Sequence, residues 1–252
     1  TYLDEGDAVL IPDPGYPTYK AAATIAGAIC IPYQLTAGFN WFPDFEAIEK
    51  NSLSKVKLMF VNYPHMPTGQ LPVEAVFSQL VAFANKHGIL LVHDNPYSFI
   101  LNNKPMSMLA TAGAADCVLE LNSLSKSHNM AGWRVGMLCG AKNFIDDVMR
   151  FKSNMDSGMF LPLQLAAAKA LTLGKEWHDA INKTYHRRRE KVFELLDALK
   201  CTYSKEQAGL FVWAAVPLSY KDGYALSDEV LYKAGVFITP GGIFGNAGNE
   251  YI

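Results

Sequence analysis

The sequence has little of what marks most binding and structural classes. Its four cysteines, Cys30, Cys117, Cys139 and Cys201, lie far apart with no Cys-x-x-Cys pair. That spacing fits neither a zinc site nor a disulfide framework and suits a reducing cytoplasm. No apolar run approaches the roughly 20 residues that a bilayer-spanning helix needs, so no membrane segment is expected. Charge of one sign is not in excess: 22 Lys+Arg against 24 Asp+Glu give a net charge of −2, which leaves no electrostatic footprint for nucleic acid or an acidic membrane surface. The six histidines (His65, His87, His93, His128, His178, His186) show no metal-ligand spacing, so no metal is expected. Gly241, Gly242 and Gly245 fit neither nucleotide-loop pattern and read as turns. Repeats and low-complexity stretches are also missing. The chain opens on Thr1 rather than Met and stops at Tyr251-Ile252, so it reads as a fragment whose last domain is cut off mid-strand.

What is present is apolar content. With 50% hydrophobic and 18% charged residues over 252 positions, the chain buries a sizeable core in one or two globular domains. Short apolar runs alternate with amphipathic stretches, the pattern of an α/β layer fold. Strands are expected at Ala8–Ile11, Ala28–Tyr33, Lys57–Asn62, Ile89–Val92, Cys117–Leu121 and Val135–Cys139. Between and after them, helices are expected at Tyr16–Ala26, Pro43–Lys50, Val73–His87, Phe144–Met155 and Leu163–Leu173. Gly88 ends one helix and releases Ile89–Val92, a continuous apolar run suited to a sheet buried on both faces. Over Glu176–Lys200, Trp177, Ile181, Tyr185, Val192, Leu196 and Leu199 recur at helical spacing, giving a helix long enough to bridge two domains. A strand Phe211–Val216, a helix Tyr224–Ala234 and a strand Val236–Ile238 complete a small α+β unit. The division is therefore 1–175 and 176–252.

In open α/β sheets, ligands bind beyond the carboxyl ends of strands. Four polar segments follow apolar runs there: Asp13–Tyr19 (D-P-G-Y-P-T-Y), Asn62–Gly69 (N-Y-P-H-M-P-T-G), His93–Tyr97 (H-D-N-P-Y) and Ser123–Gly136 (S-L-S-K-S-H-N-M-A-G-W-R-V-G). Each alone reads as a solvated loop. Together, in this order and spacing, they resemble the class I/II aminotransferases, pyridoxal-phosphate enzymes of fold type I related to aspartate aminotransferase. The last segment is the specific one, and the resemblance covers essentially the whole chain.

The resemblance implies a mixed, mostly parallel sheet sandwiched by helices, with part of a small α+β domain, and a ping-pong transfer of an amino group between an α-amino acid and an α-keto acid. It implies that Lys126 holds pyridoxal 5'-phosphate covalently and then moves the substrate's α-proton. A primary amine does both only with a lowered pKa, which cationic neighbours and partial burial supply. Asp94 matches the carboxylate that pairs with the pyridinium nitrogen, and Tyr97 the phenol on the ring oxygen. Tyr16 matches the aromatic over the ring or beside the substrate. Ser123, Ser125 and Arg134 match the phosphate-binding residues; arginine offers a planar fork to a dianion and serine a neutral donor. A surface salt bridge is the bland alternative for Arg134. The Arg187-Arg188-Arg189 run reads as a solvated helix face.

One departure stands out: Met66 occupies the position where the family carries an asparagine, and a thioether cannot donate, so tuning of the ring oxygen falls more heavily on Tyr97. Asn62 is too far back in the motif to replace it. The family's phosphate-cradling turn and its carboxylate-gripping arginine fall outside these residues. Ser153–Phe160 resembles members that act on diaminopimelate. A homodimer in the cytoplasm is implied, with small-molecule partners only. Two alternatives stay open: another fold type I enzyme, such as a β-lyase or decarboxylase, and a non-catalytic aminotransferase-like module.

Overall fold

Successive side chains of a strand point to opposite faces, so the continuous apolar runs of the central strands have two faces to bury, and this decides the architecture. In the computed structural model, which describes residues 1–252, β1 (Ala8–Asp13) sends Ala8 and Leu10 to one core and Val9 and Ile11 to the other. β3 (Val56–Asn62) divides in the same way, with Met59 and Val61 on one side and Leu58 on the other. β4 (Leu90–Asp94) follows, with Leu91 set against Leu90 and Val92. A sheet buried on both faces is the stable home for such strands.

With β2 (Ile29–Gln34), β5 (Val118–Ser123) and β6 (Gly136–Gly140), these form one six-stranded sheet in the order β2-β1-β3-β4-β5-β6. All neighbours are parallel except β5 and β6, which are antiparallel. The larger core is closed by α3 (Glu74–His87), whose Val76, Phe77, Leu80, Val81 and Ala84 pack on the sheet, and by Ile48 of α2 (Phe45–Glu49). Gly88, in the left-handed region at φ 66°, ends α3. The other face is covered by α1 (Pro17–Ile25), through Tyr19 and Ala23, and by Phe144, Ile145 and Val148 of α5 (Lys142–Met155).

After α6 (Leu161–Ala170) comes the 24-residue α7 (Lys175–Ala198). Its buried residues include Ile181, Phe193 and Leu196; Phe193, rather than Val192, turns inward and stacks on Tyr203 with ring centroids 4.7 Å apart. Beyond it, a two-stranded antiparallel sheet pairs β7 (Thr202–Tyr203) with β8 (Ala214–Ala215), and α8 (Gly223–Ala234) follows.

Two expectations need correction here. The strand foreseen over Phe211–Val216 shrinks to Ala214–Ala215, because the Gln207 side chain bonds both the N–H and the carbonyl of Trp213, at 2.6 and 2.9 Å, and removes them from a ladder. Val236–Ile238 forms no strand; the Ser227 hydroxyl takes the Ile238 carbonyl. Residues 250–252 lie along β8: Ala214 and Ile252 exchange both backbone hydrogen bonds, at 2.9 and 3.1 Å, and the Val216 amide donates to the Glu250 carbonyl at 2.9 Å. No helix is long and apolar enough to cross a membrane.

Candidate active site

Parallel register brings the polar strand ends to one edge of the sheet. Asn62 pairs with Asp94 across β3 and β4, Asp94 with Leu121 across β4 and β5, and Ser123 with Gly136 across β5 and β6. Because β6 runs the other way it begins at this edge, and Arg134 lies two residues before it. Of the residues singled out from sequence, Asp94, Ser123, Ser125, Lys126 and Arg134 therefore share this end of the sheet. Tyr16 and Tyr97 sit on the turns that leave β1 and β4.

Alternation turns Asp94 to the α1 side of the sheet. There the Tyr19 hydroxyl donates to Asp94 Oδ2 at 2.7 Å. The Tyr19 ring is itself fixed, stacked on Phe60 at 4.8 Å and met edge-on by Tyr16 at 5.6 Å. Burial raises the Asp94 pKa, opposed by the Tyr19 hydrogen bond and the charge of His93. A carboxylate destabilised by burial gains from a cationic donor, so this oxygen pair is prepared for one. Tyr19 was not singled out from the sequence; its signal is a position one helical turn beyond Tyr16.

Asn62 acts as a backbone clamp. Its Nδ2 donates to the Asp94 carbonyl at 2.6 Å and its Oδ1 accepts from the Met66 amide at 2.7 Å, so both ends of the amide are occupied. Met66 is buried. His65, also buried, meets Thr68 Oγ1 through Nδ1 at 2.8 Å, and burial holds its pKa down at about 3, so the ring is neutral. Tyr97 is buried next to Gly209 and Phe211. Burial first, then the Asp94 charge, raises its pKa, which keeps the phenol protonated and able to donate.

The connection from β5 to β6 is not the extended loop its polar composition implies. Ser123 caps a short helix, α4 (Leu124–Ser127), its Oγ accepting from the Ser125 amide at 3.1 Å. Lys126 stands half-buried on that helix and takes part in no ion pair. Arg134 is exposed at φ 55°, and its Nη1 donates to the Ala131 carbonyl at 2.8 Å. No carboxylate pairs with it, so the salt-bridge alternative is not realised.

The C-terminal segment closes over Tyr16. Asp13 Oδ1 accepts from the Ala247 amide at 3.0 Å, the Gly15 amide donates to the Phe244 carbonyl at 2.8 Å, and a cavity of about 350 Å3 remains between Tyr16, Tyr19 and residues 242–246. Gly245 is required there: its φ is 138°, and a Cβ would lie 2.1 Å from Asp13 Oδ1.

On the other face, His93 and Glu120 are register partners across β4 and β5. His93 Nδ1 is 3.1 Å from Glu120 Oε2, and its Nε2 is 3.0 Å from the Tyr63 carbonyl. Glu120 also accepts from Ser107 Oγ, the Met108 amide and Asn95 Nδ2. Burial alone would raise the Glu120 pKa; the bonds from His93, Ser107 and Asn95, with the His93 charge, outweigh it and hold the carboxyl below its ordinary value. No group of three or more His, Cys, Asp or Glu side chains is placed to hold a metal.

The family model for aminotransferase class I and II matches residues 1–250. LL-diaminopimelate aminotransferase from Dehalococcoides mccartyi strain BAV1 is 42% identical over 253 residues, covering 100% of this chain and 65% of the relative. The enzyme of that name from Desulforudis audaxviator is 40% identical over 99% of this chain and 64% of its own length. The chain thus spans just under two thirds of the curated relatives. Among solved structures, the apo form of BacF from Bacillus subtilis superposes with a TM-score of 0.94 at 36% identity, covering 99% of this chain and 64% of that one. An aminotransferase from Staphylococcus aureus gives 0.91 at 30%, covering 99% and 66%. With the family model matched across the whole sheet and the strand ends just described, the chain belongs to the class I and II aminotransferases.

Proposed function

We propose that the complete protein is a pyridoxal-phosphate-dependent transaminase acting between a small amino acid and a keto acid. The observation that carries this reading is the placement of a half-buried carboxylate, Asp94, and an amine free of ion pairs, Lys126, at the same edge of the sheet. The donor set fits the cofactor. Asp94 offers a charged acceptor to a ring nitrogen, Tyr97 a phenol to a ring oxygen, and Ser123, Ser125 and Arg134 donors to a phosphate. When bound, pyridoxal phosphate supplies an electron-poor ring that stabilises negative charge at the substrate α-carbon.

The chain's own groups then have separable tasks. Lys126 would hold the cofactor through its amine, and the same amine is the group that would carry the proton at the substrate α-carbon. Asp94, its charge supported by the Tyr19 hydrogen bond against the cost of burial, would pair with the protonated ring nitrogen. Tyr97 would donate to the ring oxygen, which the Met66 thioether cannot do, and Tyr16 would pack beside the ring. The relatives' names make LL-diaminopimelate the amino donor of choice. The remaining features of the reading are a large unit over 1–175, a smaller one over 176–252, and a homodimer in the cytoplasm.

The test uses the complete protein with LL-diaminopimelate, with and without a keto-acid acceptor. Amino transfer that requires the acceptor, and borohydride fixation of the cofactor on the peptide containing Lys126, are the expected results. Turnover without an acceptor would move the protein to a lyase or decarboxylase, and a label on another lysine would overturn the site.

A further inference from the structure

The Arg187-Arg188-Arg189 run does not behave as one solvated face. Arg188 lies over the Tyr185 ring at 5.8 Å, whereas Arg189 turns inward. Its Nη1 donates to the Gln207 carbonyl, and its guanidinium lies 5.7 Å from the Phe193 ring centre. Arg189 Nε is buried with no hydrogen-bond partner.

Beside it opens a cavity of about 580 Å3, walled by α7 and the 101–103 segment, to which Lys183, His186, Arg187 and Arg189 all contribute. Asn182 fixes that wall, accepting from the Leu101 amide at 2.7 Å and donating to the Phe99 carbonyl at 2.9 Å.

The charges on this wall do not cancel. Asp179, its one acid, is held by Lys175 at 2.6 Å, and Glu190, just outside, lies 3.6 Å from His186. Elsewhere on α7, Lys191 is matched by Glu194 at 2.8 Å. Lys183, Arg187 and Arg189 have no carboxylate partner. Converging cations at a concave, partly desolvated surface focus a positive potential and raise the local concentration of anions.

We propose that this cavity is a second anion site, separate from the sheet edge, which takes a small ligand through a phosphate group. The residue types favour phosphate: the guanidinium of Arg187 supplies a planar fork, Lys183 a mobile point charge, and Arg189 Nε a buried donor in need of an acceptor. Burial lowers the pKa of Arg189, and an oxyanion against Nε would offset that cost. The volume leaves room for a small organic remainder.

The experiment is equilibrium dialysis of radiolabelled inorganic phosphate, and separately of glycerol phosphate, against the complete protein loaded with pyridoxal phosphate, so that the cofactor's own phosphate subsite is filled. One further saturable site is expected, weakened at least tenfold in the K183Q/R187Q double variant, which changes only exposed positions. The Arg188→Gln variant should bind as the parent does. Tighter binding of glycerol phosphate would identify a phosphate ester as the ligand, and equal binding would identify free phosphate. Absence of a saturable site, a site indifferent to K183Q/R187Q, or equal weakening by Arg188→Gln would overturn the proposal.

Discussion

The Tyr19 hydroxyl holds Asp94 Oδ2 at 2.7 Å while the Tyr19 ring is stacked on Phe60, so the orientation of the carboxylate is set from α1 rather than from its own strand. A hydrogen bond to a charged group is worth about 1.5–3 kcal/mol. Tyr19→Phe should therefore keep the fold and bind pyridoxal phosphate while kcat/KM falls roughly 10- to 100-fold. Asp94→Ala removes the charge itself and should cost roughly 3 kcal/mol or more, a fall of at least two orders of magnitude in transamination. Steady-state kinetics of the two variants check the ranking; an Asp94→Ala variant as active as Tyr19→Phe would contradict it.

Arg134 separates binding from stability. It is exposed, and its one side-chain hydrogen bond is to a neighbouring carbonyl. Arg134→Ala should leave the unfolding midpoint close to that of the parent yet weaken pyridoxal phosphate by about 1.5–3 kcal/mol, the value of a charge-assisted hydrogen bond. Cofactor titration followed by absorbance, beside thermal unfolding of the apoprotein, reads both quantities.

The His93–Glu120 pair predicts a pH dependence of stability. The carboxyl is held below its ordinary value, so the folded state binds its proton less readily than the unfolded chain does. The stabilisation is then fully present above the unfolded carboxylate value of about 4.3 and is lost as pH falls through the lower folded value. Glu120→Gln replaces a carboxylate that accepts from Ser107, the Met108 amide and Asn95 with a group that accepts at one oxygen only, and should cost about 1–3 kcal/mol near neutral pH. Urea unfolding of parent and variant from pH 7 downward should show the gap closing only below pH about 4; a gap constant down to pH 3 would show that the carboxylate charge contributes nothing.

Much of the frame can be read from the chain because each strand carries its own evidence. The unbroken apolar runs Ala8–Ile11 and Ile89–Val92 demand two buried faces wherever they are placed, and Gly88 marks the end of α3 by its left-handed φ. Residues 123–134 signal chemistry through their motif, but not the turn of helix that Ser123 caps, since the five polar residues in a row from Ser125 to Asn129 fit a loop equally well. Tyr19 on Asp94 and His93 on Glu120 depend on which strands and helices become neighbours, and single-chain periodicity does not contain that information. The strands expected near Phe211 and Val236 fail because side chains six and eleven residues back, Gln207 and Ser227, take up the backbone groups that a ladder needs.

The latch between Asp13 and the C-terminal segment rests on one residue without a side chain. Gly245 has a φ of 138°, a conformation that L-residues rarely adopt, and a Cβ built on it would lie 2.1 Å from Asp13 Oδ1. Both costs fall on Gly245→Ala together: backbone strain on the order of 1–3 kcal/mol, and displacement of the carboxylate that accepts from the Ala247 amide at 3.0 Å. Because the main sheet keeps its two cores, the loss should be local. The amides of Ala247 and Gly15 should exchange at least tenfold faster in the variant, while those of β3 and β4 stay protected. Asp13→Ala supplies the control. It removes the acceptor without straining the backbone, so it should speed exchange at Ala247 but not at Gly15, whose partner is the Phe244 carbonyl. Equal protection of Ala247 in the parent and in both variants would show that the segment is held by the aromatic cluster of Trp41, Trp213 and Tyr251 instead of by Asp13.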